Sequence, residues 1–173
     1  MLPMIVKPLS NGHDGARRSA TRSAAMTRTY RACFADTDAT GFVYHARYFE
    51  MAERNHNELL LSLGVATADF ARRSRDGGGN AALVLHSAAA KFASPAFLND
   101  LLTIETEVQK HSAARSRWRT TISRDGSLIC AIDAELVYIS LLSGRAVLMP
   151  ELMNGMIGRV AREWSDATAN TPS

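Results

Sequence analysis

From Tyr44 to Leu63, the residues Phe49, Ala52, His56, Leu59, Leu60 and Leu63 stand 3, 4, 3, 1 and 3 apart. That spacing draws one continuous face at the 3.6-residue period and predicts a long helix. Gly64 follows at the position where a left-handed residue commonly ends one. Ahead of the helix, residues 29–34 read as a short strand and 35–43 as a loop with a tight turn at Gly41. Behind it, Thr67 to Arg75 suggests a short second helix capped by Thr67, and Gly77-Gly-Gly-Asn80 a break. Residues 81–93, 101–111, 114–124 and 128–141 are rich in apolar and β-branched residues and predict strands. Asp125-Gly126 between the last two is a strong hairpin signal. Ser143-Gly144 breaks the last strand, and Pro150 precedes a short helix at about 151–163 with Leu152, Met156, Ile157 and Val160 on one face. One helix followed by strands in hairpin succession argues an α+β fold, an antiparallel sheet wrapped around the long helix.

A chain of 173 residues fits one domain. A domain of this size buries roughly two-thirds of its unfolded surface, enough for a core without disulfides or metal. The net charge of +3 suggests nucleic acid until the chain is divided. Residues 1–28 hold five basic residues against Asp14, and residues 29–173 hold 15 basic against 16 acidic. The body is near neutral, so the basicity belongs to a Ser/Ala/Arg-rich tail, and a nucleic-acid partner loses its support. Residues 1–26 are expected to be a disordered tail, residues 27–163 the folded domain and residues 164–173 a second disordered tail. The first tail lacks the compact apolar run of a secretory signal, and Met26, just before the patterned region, is a candidate biological start. No stretch approaches the ~20 apolar residues of a membrane span. A cytoplasmic enzyme is expected. Cys33 and Cys130 lie in apolar runs and read as buried, inert thiols. The five histidines are scattered without metal-ligand spacing, so no metal and no cofactor is expected.

The chemistry concentrates in Phe34-Ala-Asp-Thr-Asp-Ala-Thr-Gly-Phe-Val-Tyr-His45. Two carboxylates, Asp36 and Asp38, stand in a turn-prone stretch, and His45 opens the helix. An acid can attack a carbonyl or activate water, while the unbonded N–H groups of a helix start can bind an oxyanion. The combination suits hydrolysis of an acyl group. On spacing alone, a turn or capping role is the commoner one for either aspartate. His56 lies on the apolar helix face, where a core histidine is commoner than a catalyst. Arg115, Arg117 and Arg119 alternate along one strand and share a face, which is either solvated, paired or turned to an anionic ligand.

The stretch from Phe34 to Tyr48 resembles the signature of the 4-hydroxybenzoyl-CoA thioesterase family of hotdog-fold proteins. Within it the chain looks closest to the bacterial acyl-CoA thioesterases associated with the Tol–Pal cluster. A second match, Lys91-Phe-Ala-Ser-Pro-Ala-Phe-Leu-Asn-Asp-Leu-Leu-Thr-Ile-Glu-Thr106, is similar to the family's second strand, turn and third strand. The resemblance covers about residues 28–160. It implies a sheet wrapped around the helix, homodimers sharing a continuous sheet and often pairing into homotetramers, and sites at the subunit interface without metal or cofactor. It implies that Asp38 is the catalytic aspartate, as nucleophile or as general base, and that the backbone N–H at His45 polarises the thioester carbonyl. Gly41 then allows the turn between them, with Tyr44 beside it. Glu53 matches an acid that lies near the substrate in the aromatic-acyl branch. Arg115 is a candidate for the phosphates of coenzyme A. The chain departs from the hydroxybenzoyl branch at Ser112-Ala113-Ala114, where that branch has a basic cluster; Lys110 and Arg115 are the remaining basic neighbours. An acyl-carrier-protein thioester therefore stands beside acyl-CoA as a candidate substrate. A non-catalytic acyl-binding protein is the main alternative. A hydroxyacyl dehydratase is a weaker one, because its His-Phe-Pro-Gly-like context is absent.

Overall fold

The computed structural model describes residues 25–65 and 81–169, with side chains as far as residue 163. The expected helix at Thr67–Arg75, the glycine break after it and most of the N-terminal tail lie outside the described residues. The elements are β1 (Ala25–Arg31), a 3-10 turn (Phe34–Asp36), α1 (His45–Ser62), β2 (Ala81–Phe92), β3 (Leu101–His111), β4 (Arg115–Arg124), β5 (Ser127–Ser140) and α2 (Glu151–Ala169). The strands form one antiparallel sheet in the order β1-β3-β4-β5-β2. The β4–β5 turn is made by Asp125 at φ 51° and Gly126 at φ 79°. Both residues are left-handed, as a two-residue turn matched to the strand twist demands.

Three expectations change. The first strand, described from Ala25, ends at Arg31, where its ladder with β3 reaches Leu101, the first residue of that strand. Pairing with a distant strand, not the local pattern, sets the end at Arg31. Two residues expected in the tail are thereby paired. Cys33 falls beyond the strand and is exposed, while Cys130 is buried as expected. The last helix runs to Ala169, six residues past the expected boundary. No glycine or proline occurs between 159 and 169 to stop it once it has started.

The helix α1 lies against the sheet and buries Tyr48, Met51, Ala52, Asn55, Leu59 and Leu60. This face is rotated from the one the spacing predicts. Phe49 and His56 sit at its margin, and Asn55 lies at its centre. A buried amide needs partners, and Asn55 Nδ2 donates to Met26 O at 2.8 Å and to Thr106 Oγ1 at 2.9 Å. Thr106 and Thr120 share a further hydrogen bond of 2.8 Å. A polar line thus pins the helix to β1, β3 and β4. Gly64 at φ 76° ends the helix as expected.

The core has two parts. One gathers Val43, Tyr48, Met51, Leu102, Ile104, Ile122 and Ile129 around the first half of α1. The other joins the end of α1 to Val108, Trp118 and the α2 residues Met153, Ile157 and Val160. On α2, Gly158 faces His111 so closely that a methyl there would stand 3.2 Å from the imidazole Cδ2. His111 Nε2 is itself held by Asn154 Oδ1 at 2.6 Å.

Candidate active site

The segment from Cys33 to Tyr44 is organised around Asp36, which is wholly buried. Its carboxylate accepts the Cys33 N–H at 2.8 Å, the Tyr30 hydroxyl at 2.9 and 3.0 Å, and Arg47 Nε and Nη2 at 3.0 and 2.9 Å. Burial alone would raise its pKa. The Cys33 N–H, the tyrosine hydroxyl and the guanidinium outweigh burial and hold it below the usual carboxylate range. Burial and the adjacent carboxylate push the Tyr30 phenol upward in turn. The backbone carbonyl of Asp36 accepts the Tyr44 N–H at 2.8 Å, so this one residue fixes both the strand end and the helix start.

Asp38 is exposed. Its Oδ1 accepts the Thr40 N–H at 2.8 Å and the Thr40 hydroxyl in a second, very short hydrogen bond. The Asp38 carbonyl accepts the Gly41 N–H at 3.0 Å, and its own N–H donates to Phe42 O at 3.0 Å. Gly41, at φ 80°, takes the left-handed conformation that closes this turn and that glycine adopts without strain. The loop is fastened by Val43 N–H to Ala96 O at 2.8 Å and by the edge-on contact of Phe42 with Phe97, centroids 5.2 Å apart. The Thr40 hydroxyl and N–H, with His45 nearby, hold the Asp38 carboxyl below its ordinary value. Both aspartates are thus held below the ordinary carboxylate value, each by its own donors.

Tyr44 is the N-cap of α1, half exposed, with its ring 4.3 Å from that of His45. No side chain caps the helix. With the Tyr44 N–H committed to Asp36 and the Arg47 N–H to Tyr44 O, the N–H groups of His45 and Ala46 have no hydrogen-bond partner among the described residues. The structure thus brings together an ionised, accessible carboxylate and two unbonded donors at the positive end of an 18-residue helix. Such an arrangement can generate a nucleophile and stabilise negative charge on an acyl oxygen.

The same helix carries this site to a cavity of about 800 Å³ between α1 and the strands β2, β4 and β5. Phe49, Glu53 and His56, one, two and three turns beyond His45, line it. Leu85 of β2 and Trp118 and Thr120 of β4 face them. Asp38 and His45 do not line the cavity; Phe49 is the link. The His56 ring lies tilted by 52° against Trp118 with centroids 3.9 Å apart, and its Nε2 is buried without a partner among the described residues. Loss of hydration lowers its pKa to about 4, so it is a neutral imidazole near pH 7.

Arg115 stands apart from these groups, at the start of β4. It pairs with Glu135 at 2.6 Å, Arg117 with the same carboxylate at 3.4 Å, and Arg119 with Asp133 through two bonds of 2.8 Å. The shared arginine face is an ion-paired ladder along β4 and β5. Sequence reasoning left Arg47 out of the site altogether. The signal was its position in the first turn of α1, where a cation is unfavourable unless an anion meets it. Among the described residues, no group of three His, Cys, Asp or Glu could hold a metal ion, and no helix is long and apolar enough to cross a membrane.

Known proteins share this architecture. The family described as the thioesterase-like superfamily matches residues 33–156. The acyl-CoA thioesterase YbgC of Haemophilus influenzae is 29% identical over 121 residues, which span 70% of this chain and 85% of that protein. A 1,4-dihydroxy-2-naphthoyl-CoA thioesterase from Synechocystis superposes with a TM-score of 0.69 at 24% identity, covering 78% of this chain and 96% of its own. A Staphylococcus aureus protein solved in complex with CoA gives a TM-score of 0.69 at 17% identity, covering 86% of this chain and 87% of its own. These two structures share the fold, a five-stranded antiparallel sheet with a helix against it.

Proposed function

The chain belongs to the thioesterase-like superfamily, and from that premise we propose that it hydrolyses acyl-CoA thioesters with Asp38 as the group that delivers oxygen to the carbonyl. The observation that carries this reading is the pairing of an accessible Asp38 carboxylate with the unbonded N–H groups that open α1. Two routes use it. Asp38 Oδ2, the oxygen not taken by Thr40, attacks the carbonyl carbon and the C–S bond breaks, leaving an acyl-aspartyl anhydride that water opens. Otherwise Asp38 takes a proton from water, whose oxygen adds to the carbonyl before the thiolate departs. In both routes the carbonyl oxygen becomes an oxyanion, and the N–H groups of His45 and Ala46 meet it. One such donor is worth about 3 kcal/mol in a transition state. The thiolate leaves as coenzyme A and takes up a proton.

Gly41 and Tyr44 then shape the entrance and Glu53 lies on the wall of the acyl cavity. Arg115 is the candidate for the nucleotide phosphates, in competition with Glu135. Strand β2 ends the sheet, and Leu85 and Phe92 on it are exposed. That edge, unpaired among the described residues, supports a homodimer, or a homotetramer built from it, in which two copies continue one sheet in the cytoplasm.

A panel of aliphatic and aromatic acyl-CoAs, with an acyl-carrier-protein thioester alongside, tests the reading by release of free thiol. Asp38→Asn is expected to lower kcat by about a thousandfold or more. Full activity in that variant would remove Asp38 from the chemistry. Tight binding of every thioester without turnover by the wild type would make the protein an acyl-binding module.

A further inference from the structure

Arg47 sits in the first turn of α1, where a helix favours acids, and that turn holds no acid. A local rule broken at one position calls for a gain elsewhere. The partners supply it. Arg47 reaches back to Asp36 through Nε and Nη2, and forward to Glu50 at 2.6 Å through Nη1. Asp36 in turn holds Tyr30 of β1, the Cys33 N–H and, through its carbonyl, the Tyr44 N–H. One buried aspartate therefore links β1 and the loop that carries Asp38 two residues later to α1, holding its first turn by the carboxylate and its N-cap by the backbone carbonyl.

The geometry points to Arg47 as a positioning residue: its ion pair with Asp36 clamps the start of α1 and holds the free N–H groups of His45 and Ala46 in fixed register with Asp38. The inference rests on the thioesterase reading for the use of that register, and on the hydrogen bonds alone for the clamp. The charged and titratable groups that meet the pair are Tyr30 on β1, Cys33 on the loop and Glu50 on α1. Arg47 touches none of the atoms that react, so it acts by fixing distance. A displacement near 1 Å at a reacting centre costs about a hundredfold in rate. The guanidinium also cancels the Asp36 charge, which otherwise would stand against the oxyanion formed at the same helix end.

The test compares Arg47→Met and Arg47→Lys with wild type in three readouts: kcat and KM on an acyl-CoA the wild type turns over, thermal midpoint, and hydrogen exchange at the Tyr44 amide. Arg47→Met is expected to lower kcat between about ten- and a hundredfold with KM within about twofold. It should lower Tyr44 protection about tenfold while the amides of β4 keep theirs. Arg47→Lys keeps the charge and loses the fork, so it should fall between Arg47→Met and wild type in kcat. If Arg47→Met does not fold, the double variant Asp36→Asn/Arg47→Met removes the orphaned buried charge and takes its place. Unchanged Tyr44 protection would overturn the clamp. Lost protection with unchanged kcat, or a kcat loss that only follows global melting, would overturn the positioning role. A wild type inert on every acyl-CoA would defeat the thioesterase reading, and with it the use of the register, while Tyr44 exchange would still decide the clamp.

Discussion

Burial of His56 makes stability depend on pH in a stated window. The imidazole is neutral in the fold, with a pKa of about 4, whereas the unfolded chain binds its proton with a pKa near ~6.5. Below about pH 6.5 the unfolded state therefore takes up a proton that the folded state refuses, so the contribution is intact above that value and is lost as pH falls towards 4. At pH 7 the loss is only about 0.2 kcal/mol; at pH 5 it reaches about 2 kcal/mol, and below pH 4 it levels off near about 3 kcal/mol. The physical cause is loss of hydration, with the ring packed against Trp118 and a buried Nε2 without a partner among the described residues. Urea titrations of wild type and His56→Gln at pH 7 and pH 5 read it directly. The variant is expected to be less stable at pH 7, where it loses the ring contact with Trp118, and to shed about 2 kcal/mol less than wild type on going to pH 5. Carboxylates such as Asp36 lose stability on acidification in both proteins and cancel in the difference. Parallel pH dependences for the two proteins would refute the reasoning.

Two further outcomes follow from packing and exposure. Gly155 on α2 has open space where a methyl would stand, while Gly158 does not, so Gly155→Ala should raise stability by about 1 kcal/mol and Gly158→Ala should fall at least about 1 kcal/mol below it, in thermal melts of the two variants. Cys33 is exposed, and burial pushes the Cys130 thiol up to about 11, so a disulfide reagent at pH 8 should modify one thiol quickly and the second only when the protein unfolds.

The elements that could be read from the chain are those that local chemistry decides. Asp125-Gly126 names its own turn, Gly64 its own helix end, and the period from Phe49 to Leu63 its helix, because each rests on neighbours within a few residues. Asp38 and Gly41 could be singled out for the same reason, in a compact motif. Arg47 could not, because its meaning depends on a carboxylate eleven residues earlier that only the fold brings alongside. The arginines of β4 could be placed on one face, but their acids come from β5 in a register that the turn sets. The rotation of the buried face of α1 towards Asn55 depends on Thr106, which is distant in sequence. The end of β1 at Arg31 likewise belongs to β3.

The division of the core has a practical meaning for change over time. One cluster surrounds the first half of α1 and the residues that flank Asp38; the other seals the end of the sheet beneath α2. Mutations that adjust tolerance to heat have a place to accumulate among Met153, Ile157 and Val160 of α2, which do not line the cavity, and mutations that alter turnover can collect near Val43 and Ala96. Heat tolerance and turnover can thus be selected at separate addresses in one small chain.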